Sequence, residues 1–152
     1  MKNKKNIGLL IIRVSFSAIL MMHGFHKIEK LMAAGEIVKF YDFLGLGPKF
    51  SLILAILGEF IAPIFVIVGF KSKWALIPII ITMAVAVFGA HAGEAFSERE
   101  HALLYLFVFI GLYFAGDGDF SIEIGKSPLK NKNSLVFIKL NAFRYSDNNL
   151  SV

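Results

Sequence analysis

Residues 50–92 read FSLILAILGEFIAPIFVIVGFKSKWALIPIIITMAVAVFGAHA. Two apolar runs, Phe50 to Phe70 and Trp74 to Ala92, flank a turn of Lys71, Ser72 and Lys73. The first run holds a single acid, Glu59, and the second holds no Asp, Glu, Lys or Arg. A helix needs about 20 apolar residues to cross a bilayer, and both runs reach that length. Neither alternates polar with apolar residues, so membrane β-strands fit poorly. Helices satisfy their own backbone groups, as hydrocarbon requires. With so short a turn between them, the two runs form a tight antiparallel hairpin.

Two further runs flank the hairpin. Ile7 to Phe25 contains one formal charge, Arg13, and Ala102 to Gly116 contains none. The last run is short, but Ser97, Glu98, Arg99 and Glu100 precede it as a capping-box sequence. A helix starting at Glu98 then has about 18 residues and a length of about 27 Å. Between the first two runs, Ile37, Phe40, Tyr41 and Leu44 recur at helical spacing, which predicts a short interfacial helix over 36–44. Gly45, Gly47 and Pro48 end it, and Pro48 suits the first turn of the next span. The fold expected is all-α: a polytopic membrane four-helix bundle over 1–125, followed by a polar, basic tail over 126–152. Within the tail, Leu135 to Leu140 suggests a strand or a membrane-touching patch.

Composition agrees. Of 152 residues, 57% are hydrophobic and 18% charged, with a mean hydropathy of +0.69. A chain this apolar is not disordered, and it has too little polar surface to clothe a soluble core. There is no cysteine, so disulfides, zinc–thiolate sites, iron–sulfur clusters and thiol chemistry within the chain are excluded. The formal charge of +5 is distributed unevenly. With four spans, ten Lys and Arg share a side with the termini, five lie opposite, and Arg13 is embedded. The positive-inside rule then places both termini in the cytoplasm. The basic excess therefore reflects orientation, and no nucleic-acid partner is expected. The first run is too long for a signal peptide and carries Arg13, so cleavage is not expected.

Arg13 and Glu59 are each the sole formal charge deep in a span. Such a residue costs about 2.5–3.5 kcal/mol at mid-helix, which favours pairing inside the bundle. The two are expected to form an intramembrane polar pair. It serves either as a pocket for protons or a polar head group, or as a structural pair that fixes register. In this topology His23, Lys27, His91 and Glu100 gather at the outer face, with His26, His101, Glu94 and Glu98 nearby. Histidine with carboxylate can bind metal or move protons. A metal centre needs several convergent ligands, so interfacial histidines are the simpler reading and no metal is expected. Haem ligation by His23 and His91 has little support from the ligand pattern. Gly24, Gly58, Gly69, Gly89, Gly93 and Gly111 permit close helix approach.

These motifs together resemble the DoxX family of small bacterial membrane proteins. The resemblance covers residues 7–124. It rests on Arg13, His23–Gly24 and Lys27–Ile28; on Gly58–Glu59 and Gly69; and on Ala90–His91–Ala92–Gly93 and Glu100. The ending Gly116–Asp117–Gly118–Asp119–Phe120–Ser121–Ile122–Glu123 is similar to the family's Gly-x-Gly-x-x-Ser-[Ile/Leu]-Asp, with Glu123 in place of Asp. The resemblance implies a four-helix bundle in the bacterial cytoplasmic membrane and a link to quinone-dependent oxidoreductases. The first expectation is therefore a membrane subunit of a redox or quinone-linked system, with quinone as the candidate cofactor. The alternatives are a non-catalytic scaffold or assembly factor, and a small oligomeric transporter. Candidate partners are the bilayer, other membrane or redox subunits, and further copies of the chain.

Overall fold

The computed structural model describes residues 2–35, 38–116 and 118, within a compact unit spanning Met1–Ile122. The tail expected over 126–152, including Leu135 to Leu140, lies outside the described residues, as does most of the Gly116 to Glu123 ending. Among the described residues the secondary structure is all helical and forms a bundle of four rods. The first is α1 (Lys2–Ala33), about 48 Å long at 1.5 Å per residue. The second joins α2 (Pro48–Ile56) to α3 (Ala62–Val68) through a π turn, Leu57–Ile61. The third is α4 (Ser72–Val85) with a π turn at its end, Ala86–Ala90. The fourth is α5 (Phe96–Ala115). Each rod packs on the next and α5 returns to α1, which closes the ring.

The first three rods are long and apolar enough to cross a membrane. α5 has comparable length, but its first turns carry Glu98, Arg99 and Glu100. The hairpin between the second and third rods is as tight as the sequence requires. Gly69 adopts the left-handed conformation (φ 77°), and the Gly69 and Phe70 N–H groups both return to the Phe65 carbonyl, at 2.9 and 3.0 Å. This closes the helix end in the manner of a Schellman turn.

Two local expectations are corrected. α5 begins at Phe96 with Ala95 as its N-cap, and no side chain caps it. Ser97 therefore sits inside the first turn, where its hydroxyl is out of position for a capping box. Residues 38–42 are not helical, and only a 3₁₀ turn, Phe43–Gly45, forms there. Side chains give this loop's backbone other partners. Asp42 Oδ1 accepts from the Gly47 N–H (2.8 Å), and Ser51 Oγ accepts from the Phe43 N–H (2.9 Å). Pro48 opens α2 as expected.

α1 shows why the bundle belongs in lipid. Its buried residues are Asn6, Arg13, Ser17, Leu20 and Gly24, while Ile7, Ile11, Ile12, Val14, Ile19 and Met22 are exposed. Water would favour the reverse arrangement. Phe114 and Trp74 are 81% and 74% exposed. The apolar core lies between the rods, with Leu20, Val66, Leu76, Ile79, Met83, Leu106 and Phe109 buried together.

Candidate functional site: a carboxylate in a π turn

Pro63 sets the geometry. It has no N–H, so the Glu59 carbonyl loses its normal donor four residues on. The helix widens there, and the Ala62 N–H reaches back to the Leu57 carbonyl. Such π turns are frequent at functional sites. This one is gripped from both sides by close glycine contacts. A Cβ on Gly24 would stand 2.7 Å from the Glu59 carbonyl carbon and oxygen. A Cβ on Gly58 would stand 2.1 Å from Thr82 Oγ1 and 3.1 Å from the Pro78 carbonyl oxygen. The two glycines therefore lock the turn against α1 and α4.

The Glu59 side chain is 4% exposed and forms an ion pair with Lys27, whose Nζ donates to Glu59 Oε2. Lys27 is one turn beyond Gly24 on α1 and is 25% exposed, so it joins the buried carboxylate to the end of the bundle. Tyr105, on α5, is buried within Coulombic range of Glu59. Its ring meets His23 edge-on at 5.9 Å, meets Phe16 at 6.1 Å, and stacks on Phe109 at 6.3 Å. Carboxylate, ammonium, phenol and imidazole thus share one end of the bundle, above an aromatic floor.

The expected Arg13–Glu59 pair is redistributed. Both residues are buried at 3% exposure. Gly24, not Arg13, lies level with Glu59. Arg13 is eleven residues earlier on α1, about 16 Å along its axis and beyond the combined reach of the two side chains. Arg13 lies instead on the buried face of α1 that also carries Asn6 and Ser17.

The expected outer cluster divides in the same way. His23 and Lys27 come to the site. His91 bonds Glu94 at 2.5 Å in the turn after the third rod, and Glu100 is exposed on α5. His26 pairs with Glu29 at 3.1 Å. Among the described residues no group of three or more His, Asp or Glu is placed to hold a metal ion. Sequence reasoning missed Tyr105 and Ser17. A signal for Ser17 was present, because residues 6, 13, 17, 20 and 24 follow the seven-, four- and three-residue steps of one helix face.

Apolar rods long enough to span a membrane, with many large hydrophobic side chains exposed and a part-buried ion pair between them, define an integral membrane protein of the helical-bundle class. The DoxX family model matches residues 8–92, more than half of the chain. The chain belongs to the DoxX family. No curated protein and no solved structure matches it.

Proposed function

We propose that the chain is a multi-pass protein of the bacterial cytoplasmic membrane with both termini cytoplasmic, and that it serves as the membrane subunit of a redox or quinone-linked system. The observation that carries the reading is the Lys27–Glu59 pair in its π turn, beside Tyr105 and His23. Ionisable groups inside a membrane mark functional sites by default. The donor set fits a quinone head group, whose carbonyl oxygens accept hydrogen bonds from an ammonium, a phenol or an imidazole. A bound quinone would supply paired electron and proton transfer, its electrons coming from a partner subunit. Lys27 would orient a carbonyl oxygen, Glu59 would hold or yield a proton, and His23, exposed and in ring contact with Tyr105, would pass protons to the medium. The basic residues on the side of the termini support the orientation.

The test is extraction and titration. Protein purified in mild detergent is extracted for quinone, and its spectrum is recorded with and without added quinone. Stoichiometric quinone, lost in Glu59→Gln, supports the reading. A colourless, quinone-free protein that binds none on addition overturns it.

A further inference from the structure

An open apolar groove of about 240 Å³ lies beside the ion pair, lined by Met21, Met22, Phe25, His26 and Phe60. Its walls adjoin the site directly. Phe60 follows Glu59 in the π turn, and Phe25 follows Gly24, the residue packed on the Glu59 carbonyl. The Phe25 and Phe60 rings stand 6.5 Å apart and form the sides. Met22 and Phe25 are exposed, so the groove opens to lipid and not into the bundle.

The groove is polar at one end only. His26 and the adjoining Lys27 lie toward the end of α1, followed by the charged Glu29 and Lys30. Met21 and Met22 lie about 7 Å further into the membrane-spanning part of the helix. An amphiphile in a bilayer has the same polarity, with its head at the interface and its chain toward the midplane. Methionine's flexible, polarisable side chain suits an irregular chain. With Met22 and Phe25 on its exposed side, a guest enters the groove sideways from the lipid.

We propose that this groove is the tail subsite of the amphiphile whose head meets Lys27 and Glu59, and that its occupant is the isoprenoid chain of a quinone. The assignment rests on the quinone reading of the ion-pair site and adds a lateral route of entry. Chain and ring contribute separately to binding, the chain through the groove and the ring through the polar groups.

The test uses the full chain in nanodiscs and two probes: a substituted benzoquinone without a chain, and the same ring bearing an isoprenoid chain. Binding is measured by equilibrium dialysis and corrected for partitioning into protein-free nanodiscs. In the wild type the chain should raise affinity about tenfold, equivalent to about 1.4 kcal/mol. Met22→Ala and Phe25→Ala both alter lipid-exposed side chains. Each should remove most of that gain and leave chainless-ring affinity within about twofold, well under a tenfold effect. Glu59→Gln should weaken both probes alike. The tail assignment fails alone if the chainless ring binds but the chain adds nothing, or adds equally in the groove variants. It also fails if saturated phospholipid chains displace the chained probe as well as isoprenoid chains do. If the chainless ring does not bind the wild type, the quinone reading itself falls and the tail assignment falls with it.

Discussion

Gly24→Ala would test whether the π turn is held by contact with α1. The new methyl would stand 2.7 Å from two backbone atoms of Glu59 and 2.9 Å from Phe60 Cβ. Backbone cannot rotate away as a flexible side chain can, so the first and second rods must separate. Overpacking of this kind costs about 1–3 kcal/mol. Alanine returns up to about 1 kcal/mol of helix propensity. The net loss is then about 2 kcal/mol, because a backbone obstacle puts the cost near the top of its range. For a chain of this length that lowers the melting temperature by about 4–8 °C. The assay is thermal unfolding in mild detergent, followed by circular dichroism. Gly8→Ala and Gly111→Ala are internal controls, since a Cβ at either position meets nothing within 4 Å. They should be neutral or stabilising by about 0.5–1 kcal/mol. If Gly24→Ala melts with the controls, the packing argument is wrong.

Further outcomes follow from the same contacts. Gly58→Ala should destabilise by about 1–3 kcal/mol, and Thr82→Ala should restore part of the loss by removing the Oγ1 atom that the methyl strikes. Full additivity of the two changes would contradict that contact. Lys27→Met and Glu59→Gln should each lower stability, and the double variant should recover part of it, with a coupling energy of about 0.5–3 kcal/mol. The same cycle with Arg13→Leu should be additive within about 0.5 kcal/mol, because Arg13 lies about 16 Å along α1 from the residue that packs on Glu59; strong coupling there would restore a direct Arg13–Glu59 pair. Single cysteines at Lys39 and Lys73, both exposed, should react with an impermeant thiol reagent from opposite sides of the membrane. Labelling from one side would overturn the four-span topology.

The spans were legible because lipid imposes a one-dimensional rule: about 20 apolar residues must run together. The runs at Phe50 to Phe70 and Trp74 to Ala92 became the second and third rods, and Gly69 with Lys71 made the turn between them. Local side-chain competition was harder to read. Ser97 looked like a cap and sits inside the helix, while Asp42 and Ser51 hold open a loop that spacing suggested was helical. The site was legible in its members more than in its pairing. Lys27 looked like an interfacial charge because the apolar run stops at Phe25, yet α1 continues to Ala33 and carries Lys27 into contact with the bundle.

By itself, then, the sequence determined the number of rods, the hairpin, and the need of Arg13 and Glu59 for polar surroundings, since each of these follows from the cost of placing particular groups in hydrocarbon. Only the tertiary structure decided that Lys27 answers Glu59 and that Tyr105 and His23 join them. That choice depends on the register between rods. The register is set where Gly24 and Gly58 let backbones touch and where Pro63 opens a π turn. Contacts between residues 32 positions apart leave no periodic trace along the chain.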